Sequence, residues 1–176
     1  MKEFIKDLII ALAIVVAITF VIKPTIVKET SMEPNFQENN YLFVYKLAYI
    51  TKDHPGYGDV IVFKSDLDKD DGNGKKLLIK RVIAVEGDTI AVQDDKVIRN
   101  GKVLDEDYIM DEEFDQGTPG YVEEFTIPED QVFVMGDHRT VSLDSRDSSV
   151  GTVSEDAVVG KAVLRIFPFN EFGRIY

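Results

Sequence analysis

Cysteine is absent from the 176 residues, and histidine occurs only at His54 and His138. The first absence excludes a disulfide framework, a thiolate zinc or iron–sulfur site and a cysteine nucleophile. The second leaves little basis for a multi-histidine metal centre. Basic residues are also scarce: 20 Lys and Arg stand against 32 Asp and Glu, a formal charge of −12. That balance argues against nucleic acid as the main partner. Apolar residues are not scarce. At 44% of the chain, in runs throughout, they exclude disorder and suffice for the core of one domain with an appendage.

Leu8 to Ile22 (LIIALAIVVAITFVI) is fifteen consecutive residues without a charge or strong breaker. As a helix it spans about 22 Å, short of the roughly 30 Å hydrocarbon core. Lys6 and Lys23 bracket the run, and their stems can snorkel to the two interfaces. A cleaved secretory signal has a similar basic start, but no small-x-small pattern follows Ile22, where the chain reads Lys23-Pro24-Thr25-Ile26-Val27. A buried soluble helix is the other alternative, yet Ile, Val and Leu surround this one on all sides. The expectation is an uncleaved anchor, with residues 1–7 cytoplasmic, 8–22 transmembrane and 23–176 forming an extracytoplasmic domain. Lys2, Lys6 and the terminal amine precede the span and Lys23 and Lys28 follow it, so the positive-inside bias behind this orientation is slight.

Beyond Pro24 the pattern becomes β-like. Candidate strands are Tyr41–Tyr45, Asp59–Phe63, Leu77–Val85, Thr89–Val92, Lys96–Arg99, Tyr121–Ile127, Gln131–Met135 and Ala162–Phe167, separated by Gly- and Asn-containing turns. Asn100-Gly101 supplies the positive φ angles of a type I′ hairpin. Many short strands at even spacing predict a mainly β domain, a barrel or sandwich. Only Val153–Val159 reads as a brief helix, and the acid-rich stretch 93–130 as a small β excursion. The loop Ser65–Gly74 places Asp66, Asp68 and Asp70 at the first, third and fifth positions of a calcium loop. Asp71 then takes the glycine position and Leu77 that of the bidentate glutamate, so the motif fails and a solvated turn is expected.

Without cysteine, covalent chemistry needs Ser, Thr, Lys or a carboxylate. In Leu77–Val85, alternation sets Leu78, Lys80, Val82 and Ala84 on one strand face, so Lys80 is its only charge, while Arg81 points the other way. Burial disfavours an ammonium, which lowers the pKa toward a neutral amine near pH 7; an edge-strand lysine snorkelling to water is the alternative. A lysine base requires a hydroxyl. Ser31-Met32-Glu33-Pro34 holds one in a turn directly after the apolar run, and Met135–Arg146 packs two Asp, two Arg, two Ser and a His into twelve residues.

Together, in this order and spacing, these segments resemble the bacterial type I signal peptidases, membrane-anchored Ser/Lys endopeptidases. The likeness comprises the anchor, Ser31–Pro34, Gly58–Phe63 (GDVIVF), Lys80–Asp88 (KRVIAVEGD), Gly136–Arg139 (GDHR) with Ser142–Arg146 (SLDSR), and the aromatic tail Phe167–Phe172. The resemblance implies a signal-peptidase-like β fold with Ser31 as nucleophile and Lys80 as general base. It implies that Ser142 hydrogen-bonds and orients the lysine. Asp144 with Arg146, and Asp137 with Arg81, would brace the loop. The Ser31 N–H would serve the oxyanion. Many relatives carry Gly or Ser, or a further donor, two positions before the nucleophile. Here Glu29 stands there, followed by Thr30, and its carboxylate is expected to point away. His138 replaces a usual Asn and is read as a loop hydrogen-bonder; Asn35 replaces a usual Thr.

Substrates implied by the resemblance are secreted preproteins with Ala-x-Ala-type signal peptides. These would bind extended between Leu77, Leu78 and Ile79 on one side and Thr25–Glu29 on the other, over shallow pockets lined by Val27, Met32, Phe36 and Ile79. No metal, nucleotide or other cofactor is expected, and the lipid bilayer is the other partner. Two alternatives stay open: a LexA-like self-cleaving Ser/Lys protein, and a non-catalytic relative acting in pilus assembly.

Overall fold

A computed structural model describes residues 1–50, 54–69, 72–94, 96–109 and 121–175. Asp70 and Asp71 of the acidic loop, and residues 110–120 of the expected excursion, therefore lie outside the described residues. Helix α1 (Lys2–Val21) runs 20 residues, about 30 Å at the ordinary rise, which is long enough to cross a hydrocarbon core. It begins six residues before the expected span, because Lys2–Asp7 contains no helix breaker, and ends one residue before it. Its apolar window has a mean hydropathy of 2.5, and none of its side chains is buried against protein. Pro24 explains the end. A proline disfavours helical backbone at the residue before it and lacks the N–H for the next helical bond. Ile22 accordingly turns extended and opens the first strand.

Twelve strands follow among the described residues: β1 (Ile22–Ile26), β2 (Tyr41–Tyr45), β3 (Val60–Asp68), β4 (Lys75–Val85), β5 (Thr89–Gln93), β6 (Lys96–Arg99), β7 (Lys102–Val103), β8 (Val122–Thr126), β9 (Gln131–Met135), β10 (Val153–Ser154), β11 (Val158–Phe167) and β12 (Gly173–Arg174). The larger sheet has the order β1-β2-β11-β3-β4-β9-β10, with β12 on β11. The smaller has the order β7-β6-β5-β8. It begins at Thr89, four residues earlier than the predicted excursion. At its hairpin Asn100 and Gly101 both have positive φ (53° and 71°), as a type I′ turn requires. The helix expected over Val153–Val159 does not form. Val153 pairs with Val132, a single 3-10 turn covers Glu155–Ala157, and Val158 already pairs with Phe63.

Two apolar clusters set the frame of the site. Ile61, Phe63, Leu78, Val82, Val132 and Val134 pack within the large sheet. Ile83, Ala84, Phe133 and Met135 pack against Ile90, Val92 and Val97, joining the two sheets. The register shift between Val82 and Ala84 is what passes β4 from one cluster to the other. Strict alternation therefore fails at Ala84: Leu78, Lys80 and Val82 share a face, but Ala84 belongs to the second core.

Candidate active site

Lys80 lies opposite Ile61 in the β3–β4 ladder, flanked on its own face by Leu78 and Val82, and is 1% exposed. The snorkelling alternative is thereby excluded. Burial in this apolar setting pushes its pKa below the ordinary lysine value. The carboxylates of Asp144, Glu29 and Asp137 oppose the shift without cancelling it, and the Arg146 guanidinium adds to it. The amine has one hydrogen-bond partner among the described residues: Nζ stands 2.6 Å from Ser31 Oγ.

Ser31 reaches that position through the turn that follows β1. Val27 exchanges backbone bonds with Asn39 and Asn40, Glu33 N–H donates to the Thr30 carbonyl, and Phe36 N–H to that of Met32. The turn buries Ser31 to 4% exposure, while Glu29 and Thr30 stay exposed. The Ser31 N–H donates to no group among the described residues and is available to a developing oxyanion.

A charged loop lies behind the pair. The Arg146 guanidinium grips Asp144 through Nε (2.8 Å) and Nη2 (2.9 Å), and Asp144 Oδ2 also accepts the Gly136 N–H at 2.9 Å. Arg81 grips Asp137 the same way, at 2.8 and 2.7 Å. The two ion pairs read from the sequence are therefore both present and buried. His138 donates its backbone N–H to the Ser31 carbonyl at 3.1 Å, and its Nδ1 lies 3.8 Å from Glu33 Oε2. Ser142 departs from expectation. Its buried Oγ lies beside the Ser31 backbone but makes no hydrogen bond among the described residues, so it does not hold Lys80 in this state.

A groove of about 760 Å³ is lined by Lys23–Glu29 of β1 and its continuation, and by Lys76–Ile79 of β4, with Val62 and Lys69; it reaches the chain neighbours of the pair, Glu29 and Ile79, and not Ser31 or Lys80 themselves. Val27, Leu77, Leu78 and Ile79 line it as expected. Met32 (0% exposed) and Phe36 (4%) do not; both pack into the core with Val27, Leu42, Val60 and Ala162. Among the described residues both strands offer a free edge here: β1 pairs only with β2, and β4 pairs only with β3 until Arg81, where β9 joins. Four successive antiparallel pairings make β1 and β4 run the same way.

A buried amine with a depressed pKa, in contact with a serine hydroxyl, is a constellation suited to nucleophilic attack on a peptide carbonyl. The family model described as "Signal peptidase, peptidase S26" matches residues 1–167. The chain belongs to this family of serine endopeptidases. Signal peptidase I of Bacillus licheniformis is 33% identical over 96% of this chain and 90% of its own. Signal peptidase I of Leptolyngbya laminosa is 34% identical over 94% of this chain and 80% of its own. A solved signal peptidase I from Enterococcus faecalis matches 62% of this chain and 97% of its own with 30% identity and a TM-score of 0.47.

Several residues of the site were not singled out as site residues by sequence reasoning. Asn35 Nδ2 bridges Asp137 Oδ2 (2.8 Å) and the Tyr108 carbonyl (2.6 Å). The Tyr108 ring lies under the Arg81 guanidinium, 4.3 Å from its centroid. Arg139 is fully buried and binds Glu106. Arg139 sat inside a motif block, and Asn35 directly after one. Glu106 and Tyr108 had no such marker, because an acid-rich stretch carries no periodic pattern to separate a buried glutamate from solvated ones.

Proposed function

We propose that this chain is a membrane-anchored endopeptidase that removes N-terminal signal peptides from secreted preproteins, with Ser31 as nucleophile and Lys80 as general base. The observation that carries this reading is the 2.6 Å separation of a buried, pKa-depressed amine from a buried hydroxyl. Neutral Lys80 takes the Ser31 proton as Oγ attacks the scissile carbonyl carbon. The resulting oxyanion is held by the Ser31 N–H. Protonated Lys80 then gives its proton to the departing amine, leaving an ester on Ser31. Lys80, neutral again, activates the water that hydrolyses this ester. Asp144–Arg146 and Asp137–Arg81 keep the loop behind the pair closed to water.

The substrate's extended segment inserts between the free edges of β1 and β4, completing the ladder on both sides. Val27 and Ile79 beside the reactive pair suit the small side chains of an Ala-x-Ala sequence. Residues 1–7 lie in the cytoplasm, α1 crosses the bilayer, and the domain beginning at residue 23 works outside. The bilayer also contacts the domain itself. Ile26 of β1, the strand that continues α1, is exposed, as are Tyr41 and Tyr45 of the adjoining β2, Phe167 at the end of β11, and Phe169 just after it. Phe167 is packed edge-on between Tyr41 and Phe169. An amphipathic aromatic face of this kind belongs at a membrane interface.

Incubating the detergent-solubilised chain with a labelled Ala-x-Ala preprotein, and mapping the cut by mass, tests the reading. Cleavage directly after the second alanine, lost in Ser31→Ala, is the expected result. An intact preprotein overturns it.

A further inference from the structure

We propose that Glu106, on the small sheet's side of the molecule, is a positioning residue for the Ser31–Lys80 pair, acting through Arg139 and Gly136. The inference deepens the peptidase reading and rests on it. The Arg139 side chain is 0% exposed and that of Glu106 7%. Nη1 and Nη2 of Arg139 donate to the two Glu106 carboxylate oxygens at 3.0 and 2.6 Å, and Tyr108 Oη donates to Oε1 at 2.6 Å. A planar fork held at both prongs has one orientation. The remaining nitrogen of that fork, Nε, donates to the Gly136 carbonyl at 2.9 Å.

Gly136 packs against the Ser31 backbone two residues before His138, whose N–H donates to the Ser31 carbonyl. Its N–H is held by Asp144 and its carbonyl by Arg139, so the adjoining peptide planes are fixed from both sides. A Cβ placed there would lie 2.4 Å from the Ser31 carbonyl oxygen. The Arg139 carbonyl meanwhile accepts from Arg146 Nη2 at 2.7 Å, which ties the Asp144–Arg146 pair to the same guanidinium-bearing residue. Without the Glu106 carboxylate, the buried Arg139 charge has lost its anchor and must turn toward another acceptor or toward water. Gly136, the loop behind Lys80 and the seat of Ser31 then shift together.

Glu106 makes no contact with the reactive pair. The charges acting most strongly on the Lys80 amine are those of Asp144, Glu29, Asp137 and Arg146. A change in Lys80 titration on altering Glu106 therefore reports the loop's closure rather than a direct charge effect.

The test uses the detergent-solubilised full chain and an Ala-x-Ala preprotein, with kcat and KM measured across pH for wild type, Glu106→Gln and Glu106→Asp. For Glu106→Gln, kcat is expected to fall roughly 10- to 100-fold while KM stays within about threefold. Its acid limb should move to higher pH as water reaches Lys80, and Glu106→Asp should recover part of the loss. A folded Glu106→Gln chain with unchanged kcat, or with an effect on KM alone, overturns the inference. If Glu106→Gln fails to fold, Arg139→Lys is measured instead; it keeps a cation beside Glu106 but removes the fork that reaches Gly136, and an unchanged kcat there overturns the inference equally. A wild-type chain that leaves the preprotein intact sinks the peptidase reading itself, which is a separate result.

Discussion

Gly136 meets Ser31 so closely that no side chain fits between them: a Cβ on Gly136 would stand 2.4 Å from the Ser31 carbonyl oxygen and 2.2 Å from Ser142 Oγ. Real carbon–oxygen contacts do not come this near, so the backbone of one partner must give way. Gly136→Ala is expected to lower kcat by about 100-fold through displacement of Ser31. It should also cost roughly 1–3 kcal/mol of stability by overpacking. Cleavage kinetics alongside thermal unfolding check both; an active, equally stable variant would show that the loop yields freely.

Removing either member of the pair is expected to abolish cleavage for different reasons. Ser31→Ala deletes the attacking oxygen and leaves the fold untouched. Lys80→Met keeps the bulk and apolar stem but removes the nitrogen, so the hydroxyl loses its base. Because the buried amine disfavours folding at neutral pH, Lys80→Met should also raise the melting temperature, by roughly 2–4 °C for each kcal/mol relieved. Retained cleavage by Lys80→Met would dismiss the lysine as base.

The pH dependence follows from the sign of the Lys80 shift. The folded pKa lies below the unfolded one, so between the two values the unfolded chain binds more protons and stability rises with pH. In the proposed mechanism the base is the neutral amine, so kcat/KM should rise as pH passes upward through the folded pKa. The Lys80 contribution to the stability slope should vanish in Lys80→Met. A flat rate from about pH 6 to 9 in wild type would contradict the assignment.

Glu29 offers a test that leaves the core alone. It is exposed, lines the groove, and its carboxylate favours the charged form of Lys80. Glu29→Gln should move the acid limb of the rate profile to lower pH and increase turnover at pH 7. As a surface change it should alter stability by no more than about 0.5 kcal/mol. A limb that stays in place, or moves upward, would show that this carboxylate does not act on the amine.

The strands easiest to read were short apolar runs bounded by turn residues. Tyr41–Tyr45, Lys96–Arg99 and Gln131–Met135 appear with the expected ends, and the Asn100-Gly101 hairpin appears with the expected turn. Strand β1 was missed because Pro24 reads as a breaker; it is tolerated there on an edge strand, where a missing N–H leaves one ladder intact. Val153–Val159 misled because an acidic start followed by apolar residues suits a helix as well as a turn between two strands. Val153 and Val158 decided the matter by pairing with Val132 and Phe63, partners distant in the chain.

What the chain specified locally was the apolar span, the period-two strands and a lone amine on a greasy strand face. Each follows from residues within a turn or two of one another, where side-chain direction is set by backbone geometry alone. Only the tertiary structure brought Ser31 to Lys80 across 49 positions, left Ser142 Oγ unbonded, sank Met32 and Phe36 into the core, and drove Glu106 under the loop. Those outcomes depend on which strands pair and in what register. That choice is made by the summed burial and hydrogen bonding of the whole sheet, and no single segment carries it.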